Sequence, residues 1–537
     1  MREETRVEWR EWGEDAFETA AREDRPVLLS LSATWCETCH EMDAETYGEP
    51  RIAANLNDGF VPVRVDVDRH PRVRERYNMG GFPSTVFTTP SGEVITGATY
   101  LGPDSMRRVI DRVRDVWTER GTEAGRIPRA LADDPTPAGE VSARIEEHLA
   151  GQLEAKYDEE NAGWGDEAKF PLPRTVEFAL KRDRARAIAT LDAVRTHLFD
   201  DVDGGFFRFA ERPDWSEVHH EKLVGENAAL LRAFANAYLY TGDETYRDVA
   251  ATTVDFLTDD LWSGFAVGAS QGAADPAYYA PDVEVRADAD GPRTDLTPYA
   301  GGNGLAADAL LTFHAYTDDE RAREYANQIL SYLRSDGVDD GVVSHCRDED
   351  CDRLLLEDQV GVLAAFTRAA QVLGGDWLPA ARRVADATID RLRDDGSFRD
   401  GPAAGPGLLD RPFRPLDDNV AMADALVDLW LLTDERRYRD VAHETVAAFA
   451  GAWNRIGVQV AGYGSVAARL TRDPLVVEVA DAGSDLHRAA LRVADHEAVV
   501  RPDADLEPGT AAVRAGDDRY VAESPDELMA NVSDATR

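Results

Sequence analysis

Asn227, Asn303 and Asn419 each begin a largely apolar helical segment that ends 14 residues later on a threonine, at Thr241, Thr317 and Thr433. Each threonine is followed by an acidic helix start, and a fourth copy runs from Gln359 to Gly374-Gly375-Asp376. A unit of this kind cannot bury its apolar face alone, so the copies must stack as helical hairpins. Within a hairpin the two helices differ. Ala228 to Leu239 and Val420 to Leu432 are apolar nearly all round and read as inner helices, although Asp424 and Asp428 interrupt the second. Tyr438, Val441, Ala442, Thr445, Val446, Phe449, Ala450 and Trp453 form a single stripe, as an outer helix requires. Inner segments are predicted at 172–182, 226–240, 302–316, 358–373, 418–432 and 462–470, with an opening outer helix from Val141 to Glu154. Six of each kind describe a closed (α/α)6 toroid over residues 141–470.

Gly-rich loops such as Asp203-Gly204-Gly205-Phe206 fall between outer and inner helices and are expected to line one mouth with the inner-helix N-termini. Polar residues gather there: His219, Glu221, Lys222, Glu226, Asn227, Asn303, Asp358 and Asn419, with Lys169, Trp164, Phe170 and Trp215 nearby. Facing carboxylates in an aromatic-walled cavity suit glycoside chemistry, one acting as acid and one as base. The competing reading of the asparagines is helix N-capping, which equal spacing favours. His219, Glu221 and Lys222 precede the cap and are expected to project into the mouth as catalytic residues. The others are expected to bind a polar, sugar-like ligand, and residues 263–301 are available to cover it.

A different pattern occupies residues 1–125. Pro26 to Ser32 is a continuous apolar run, as in a strand buried on both faces, and Trp35-Cys36-Glu37-Thr38-Cys39-His40 follows directly and opens a helix. Strands are predicted at Val61 to Val67, after Gly80-Gly81-Phe82-Pro83, and at Val94 to Thr99, with a closing helix from Asp104 to Thr118. This order resembles a thioredoxin fold. A thiolate is the nucleophile of dithiol chemistry, and Cys36 at a helix N-terminus sets its charge against the helix dipole, while Cys39 one turn on can resolve a mixed disulfide. A structural or zinc-binding CxxC and haem attachment through C-x-x-C-H are the alternatives. Flanking strand and helix leave no haem-sized pocket. The thioredoxin resemblance implies that Pro83 is the cis-proline over the dithiol. Ser30 stands where thioredoxins carry a buried acid, and Glu37 disfavours the thiolate by like-charge proximity.

Residues 126–140 read as a Gly/Pro-rich linker and residues 471–537 as a small α/β appendage. With 43% hydrophobic residues the chain has enough apolar content for sizeable cores. Its net charge of -43 excludes sequence-independent binding to nucleic acid or anionic membranes. Only four of the 59 basic residues are lysines, and this acid-rich, lysine-poor surface is read as adaptation to a high-salt cytoplasm. The charged N-terminus lacks a signal-peptide core and no segment is apolar enough to span a membrane, so a cytoplasmic protein is expected. Of the four cysteines, Cys346 and Cys351 lie five apart in an acidic loop and are open to reading as a labile disulfide or half of a metal site, with an ordinary thiol pair preferred because no second Cys/His cluster accompanies them. No metal or cofactor is expected.

The chain as a whole resembles the spermatogenesis-associated protein 20 homologues, thioredoxin-like proteins fused to a six-hairpin, glycosidase-like toroid. The resemblance is carried by Cys36-x-x-Cys39-His40-x-Met42, Gly80-Gly81-Phe82-Pro83-Ser84, Lys169-Phe170-Pro171, Asp203-Gly204-Gly205-Phe206, Trp215-x-x-x-His219-x-Glu221-Lys222-x-x-x-Glu226-Asn227-Ala228 and Leu356-Glu357-Asp358. Three functions follow as expectations. One is a thiol-disulfide oxidoreductase whose toroid binds a small ligand or a protein thiol client. The second is a carbohydrate-active hydrolase or epimerase with a structural thioredoxin-like module, and the third is a noncatalytic scaffold.

Overall fold

The structure, a computed structural model, describes residues 5–131, 136–279, 286, 290–348, 351–516 and 518–535. Parts of the expected linker and of the 263–301 loop lie outside these residues.

The first unit is built on β1 (Arg10–Glu11), α1 (Glu14–Glu23), β2 (Val27–Ser32), α2 (Glu37–Met42), α3 (Pro50–Gly59), β3 (Val61–Asp66), α4 (Pro71–Tyr77), β4 (Ser84–Thr88), β5 (Val94–Ala98) and α5 (Pro103–Arg120). The sheet order is β1-β3-β2-β4-β5. The apolar run of β2 lies at its centre, with Leu29 opposite Val63 on parallel β3 and opposite Val86 on antiparallel β4. This is the thioredoxin-like domain, and the Phe82-Pro83 peptide is cis. The sequence pattern did not reveal α1 or β1, and β1 extends the sheet on the β3 side.

The toroid follows. Its inner helices are α7 (Pro173–Arg182), α9 (Val224–Thr241), α11 (Ala300–Thr317), α13 (Leu356–Leu373), α15 (Leu416–Thr433) and α17 (Gly462–Thr471). Its outer helices are α6 (Ala143–Ala155), α8 (Arg184–His197), α10 (Glu244–Asp255), α12 (Glu320–Tyr332), α14 (Leu378–Leu392) and α16 (Arg436–Phe449). Each inner helix packs against the next, and α17 packs back on α7, closing the ring. The repeat therefore has the (α/α)6 architecture.

The repeated asparagines correct the sequence reading in both of its forms. Leu223, Tyr299 and Pro415 are the N-caps, and each Asn is the fourth residue of its helix. Fully buried, they clasp the loop that enters the helix. Val267 N–H donates to Asn303 Oδ1 (2.9 Å), and Asn303 Nδ2 donates to the carbonyls of Val267 (2.8 Å) and Tyr299 (2.9 Å). Asn227 clasps Phe206 and Leu223, and Asn419 clasps Phe398 and Pro415, in the same way. In the fourth copy the longer Gln359 reaches Val343 N–H (2.6 Å) and the Gly341 carbonyl (3.0 Å). An amide is needed because the loop offers one N–H and one carbonyl at once, and only Asn or Gln answers both. Gly205 serves the same clasp: its φ is +74°, and a Cβ there would lie 2.6 Å from the Phe256 ring and 3.0 Å from Asn227 Oδ1.

Two further units cap the ring. At one end α4 of the thioredoxin-like domain inserts arginines into the acidic mouth. Arg76 donates to both oxygens of Asp400 (2.5 and 3.1 Å) and Arg72 to one of them (3.1 Å). At the other end lies a four-stranded sheet of Val499–Arg501, Val476–Val479, Ala511–Ala515 and Asp518–Ala522 with two helices. Its Val500 N–H donates to Gln371 Oε1 (3.1 Å), and His496 meets the Tyr240 hydroxyl (2.9 Å). The hairpin of Ala511–Ala515 and Asp518–Ala522 was not legible in the sequence.

Candidate redox site at the toroid mouth

Val27–Ser32 ends at the sheet edge, so the next residues must turn and start α2 there. Cys36 is the N-cap of α2, and its Sγ accepts the Cys39 N–H (3.2 Å). Cys36 and Cys39 form a disulfide with S–S 2.02 Å. Thr38 Oγ1 donates to the Phe82 carbonyl (3.2 Å), tying this turn to the loop of Pro83. Both cysteines are nearly closed to solvent, at 5% and 3% exposure. The cause is the toroid. Leu223, from the segment entering α9, packs against the cluster containing Trp35, Cys36 and Cys39, and the backbone of Gly272 runs beside that of Trp35.

Trp35 lies where the two units meet. Its Nε1 donates to Asp68 Oδ2 (2.8 Å), and the Arg208 guanidinium lies 4.6 Å from its ring centroid. Arg208 also donates to Glu221 Oε1 (3.2 Å), and its Nε lies 3.8 Å from Glu226 Oε1. His219 Nδ1 is 3.7 Å from Glu221, while its Nε2 bonds Glu211 at the rim (2.7 Å). Phe209 stacks on the His219 ring at 4.2 Å, and Phe170 stacks on Phe209 at 4.6 Å. His219, Glu221, Glu226 and Phe170 are thus brought together, with Glu221 inward and His219 at the edge. Arg208 and Trp35 complete the group and were missed. Their signal is spatial, since neither belongs to the repeat.

The two carboxyl groups are pushed apart. Burial raises Glu221, but His219 and Arg208 outweigh it and hold the group below its ordinary value. Glu226 is pushed up to about 7 by burial, to which the like charge of Glu221 adds, and Arg208 offsets this only in part. On the lid side, burial and the charge of Asp66 push Asp68 up to about 7. Further round the mouth, burial with Glu357 and Glu75 nearby raises Asp418 to about 8.

Several expected ligand-binding residues are instead consumed by the fold. Lys222, expected to be catalytic, is fully buried and donates to Asp200 Oδ2 (2.9 Å) and the Gly204 carbonyl (2.7 Å), fastening the Asp-Gly-Gly loop. Lys169 is likewise buried on Asp158 (2.8 Å) and the Gly165 carbonyl (3.0 Å). Trp164 and Trp215 donate to the carbonyls of Leu153 (3.0 Å) and Asn161 (2.8 Å). Asn227, Asn303 and Asn419 have their amides spent on loop backbone. A buried cation with two good acceptors is worth more to the fold than to a ligand, because removing it strands a charge.

Asp358 accepts the Gly301 N–H (2.8 Å) and pairs with His345 Nδ1 (2.9 Å). His345, Glu357 and Asp358 bring ligand atoms within 4.8 Å of one another, as a metal site would. His345 cannot serve as a ligand, however. Its Nε2 donates to the Asp68 carbonyl (2.7 Å) and its Nδ1 to Asp358, so both nitrogens carry protons. Asp358 outweighs burial and raises this imidazole to about 9. The cluster is a latch between toroid and lid. Beside it Cys346 and Cys351 form a second disulfide, the alternative to the preferred reading of an ordinary thiol pair.

Below the mouth the six inner helices contribute charges of alternating sign: Glu177, Arg232, Asp308, Arg368, the pair Asp424 and Asp428, and Arg469. Arg232 donates to both Glu177 oxygens (2.7 Å each) and to Asp308 (2.6 Å), Arg368 donates to Asp308 (2.9 Å), and Arg469 bonds Asp428. This ring encloses a cavity of about 90 Å³, room for a handful of waters.

The fold and site define a class: a thioredoxin-like domain docked over the mouth of an (α/α)6 toroid. Residues 1–133 match the family Thioredox_DsbH, described as a protein of unknown function, DUF255. Human spermatogenesis-associated protein 20 is 30% identical over 294 residues, covering 48% of this chain and 37% of that protein. Over that stretch the chain is similar to spermatogenesis-associated protein 20, and it spans well under half the length of the curated relatives it matches. The thioredoxin-like part is also similar to thiol:disulfide interchange protein DsbD 1 of Pseudomonas aeruginosa, 27% identical over 109 residues, 20% of this chain and 18% of that one. The solved structure of a sugar epimerase from a ruminal bacterium superposes with TM-score 0.46 at 11% identity over 56% of this chain and 84% of that one. Among the described residues no helix is long and apolar enough to cross a membrane.

Proposed function

We propose that the protein is a thiol-disulfide oxidoreductase in which Cys36 is the attacking thiol, Cys39 the resolving thiol and Pro83 the residue flanking the exchanging sulfur. The observation that carries this reading is the Cys36–Cys39 disulfide at the N-terminus of α2 beside a cis-proline. Its helix-terminal position favours a thiolate, and the three-residue spacing lets the second sulfur reach the first. The toroid supplies a polar recess for the molecule that exchanges. The acid-rich surface supports a high-salt cytoplasm as its setting.

A second reading, sugar chemistry in the mouth, is supported by Glu221 and Glu226, whose environments separate an ionised from a protonated carboxyl beside Arg208.

Thiol trapping across a redox titration tests the first reading. In a Cys346→Ser/Cys351→Ser background a single two-electron step is expected, and Cys36→Ser should abolish it. A step that survives Cys36→Ser would show that the assignment is wrong.

A further inference from the structure

The CxxC face of a thioredoxin-like domain is where a disulfide partner must approach, and here the toroid covers it. Leu223 and Gly272 press against the segment carrying Trp35 and Cys36, and Cys36 is nearly closed to solvent. Exchange at Cys36 therefore requires the thioredoxin-like lid to lift. One hold on the lid is the pairing of Arg72 and Arg76 with Asp400. A second hold lies at the other pair of cysteines, which the oxidoreductase reading leaves unused.

Residues 342–345 and 351–354 run antiparallel. Leu354 N–H donates to the Val343 carbonyl (2.8 Å), Ser344 faces Arg353, and His345 N–H donates to the Asp352 carbonyl (2.9 Å). The Cys346–Cys351 disulfide is the next rung and closes the end of this ladder. Side chains at the closed end grip one turn of the lid. His345 Nε2 donates to the Asp68 carbonyl (2.7 Å), Asp348 accepts from Arg69 (2.9 Å), and Asp352 lies 3.7 Å from His70 Nδ1. Asp68 in turn accepts from Nε1 of Trp35 (2.8 Å), the residue before Cys36, and Pro71, after His70, opens α4 with its Arg72 and Arg76. The grip thus reaches both the dithiol and the Asp400 pairing. Singly these contacts are weak: Asp348 and Asp352 keep 62% and 37% of their side-chain surface, and in exposed pairs the cost of ordering two side chains offsets most of the attraction. The disulfide alters this by fixing Asp348 and Asp352 beside His345, so that the contacts form together. His345 has a second anchor in Asp358 (2.9 Å), whereas Asp348 and Asp352 stand on the hairpin end itself.

We propose that Cys346–Cys351 is a regulatory redox site: its disulfide locks the lid over Cys36, and its reduction by an external dithiol releases the lid. This rests on the oxidoreductase reading and names the regulation of that site. One thiolate of the dithiol attacks one sulfur of the pair, forming a mixed disulfide and releasing the other cysteine as a thiolate, which takes up a proton. The second thiol of the reductant, once deprotonated, displaces the remaining cysteine, which is protonated in turn. The products are two cysteine thiols and the disulfide of the reductant, so two electrons pass from the dithiol to the protein. Cys346 and Cys351 are 5% and 8% exposed, but they lie at the end of a surface hairpin whose Arg347, Asp348 and Arg353 keep half or more of their side-chain surface. Fraying of that end admits the reductant, whereas Cys36 waits on the movement of a whole domain.

Two full-length variants in molar KCl test this. In Cys36→Ser/Cys39→Ser only the second pair remains, and its reduction with dithiothreitol should lower hydrogen-exchange protection of residues 68–77 by about tenfold while leaving the outer helix α16 unchanged. In Cys39→Ser, after desalting, Cys36 should react with iodoacetamide about tenfold faster once Cys346 and Cys351 are reduced. Adding Cys346→Ser/Cys351→Ser to that variant should reproduce the faster rate without reductant; should those serines prevent folding, the oxidised and reduced forms of Cys39→Ser make the same comparison. A pair that stays oxidised in excess dithiothreitol overturns the inference, as does a Cys36 rate or a protection of residues 68–77 that ignores its state. Protection lost equally from α16 also overturns it, because the bond would then hold up the fold at large rather than the lid. The first variant has no Cys36–Cys39 dithiol, so its outcome leaves the oxidoreductase reading to be decided by the two-electron step at Cys36.

Discussion

Replacing Asp400 by asparagine should loosen the lid without touching either disulfide. Among the described residues Asp400 is the carboxylate that hydrogen-bonds two buried guanidinium groups, with Arg76 at 0% and Arg72 at 6% side-chain exposure, and Asp352 adds only a longer-range charge to Arg72. The remaining donors of both arginines are satisfied by carbonyls: Arg72 by Leu409 (2.7 Å), Arg76 by Leu408 (2.8 Å) and Arg411 (2.9 Å). Charge compensation is thus the quantity the substitution removes. Burial already draws Arg72 below its ordinary value despite Asp400, a sign that one carboxylate is shared thinly. Breaking a buried pair of this kind costs about 3–5 kcal/mol, because the surviving charge is left uncompensated. That shifts the docked-to-undocked equilibrium by roughly a hundred- to several-thousand-fold. In reduced protein Cys36 can be alkylated only while the lid is lifted, so the iodoacetamide rate at fixed pH reads the open population. Asp400→Asn should raise that rate by a comparable factor and lower hydrogen-exchange protection of α4. The triple change Arg72→Met, Arg76→Met, Asp400→Leu removes every charge and should return the rate toward that of the parent. An Asp400→Asn protein whose alkylation rate stays within about twofold of the parent would refute the argument that this pair holds the lid.

Two other outcomes follow from the same geometry. Asn303→Ala strands the buried N–H and carbonyl of Val267 and should lower stability by about 2–5 kcal/mol in a urea titration; unchanged stability would restore the ligand-binding reading of that residue. The lid should also dock less firmly as pH rises. His345, raised to about 9 by Asp358 against burial, stabilises fully below its unfolded value near 6.5, and that contribution is lost as pH climbs through about 9. Asp68 and Glu226 at about 7 and Asp418 at about 8 bind protons more tightly when folded, so they push in the same direction over lower pH. Calorimetry between pH 6.5 and 9 should show a falling melting temperature that His345→Gln flattens at the upper end, and a flat parent profile would contradict it.

What the sequence by itself determined about this protein is the set of elements. A helix apolar on nearly all sides must be surrounded, and six inner segments alternating with outer ones leave a closed ring as the simplest burial. The interruptions at Asp424 and Asp428 also carried information, since they mark two of the acids bound by Arg469. Likewise, an apolar strand running straight into CxxC can be read locally, because strand, turn and helix dipole all act within a few residues.

Only the tertiary structure decided what each polar residue of the mouth does. Asn227 and Glu226 are adjacent in sequence and both stand near an inner-helix start. Asn227 meets the backbone of Phe206, 21 residues earlier, and becomes part of the fold, while Glu226 lies beside the Arg208 guanidinium. Lys222 looked reactive because lysine is rare here, yet the residue that neutralises it, Asp200, lies 22 positions back. The covering of the dithiol depends on Arg72 and Arg76 meeting Asp400 more than 320 residues away. Hydrogen bonds and charge pairs act over about 3–4 Å, so a side chain's role is set by whichever distant backbone or charge the completed fold brings within that distance.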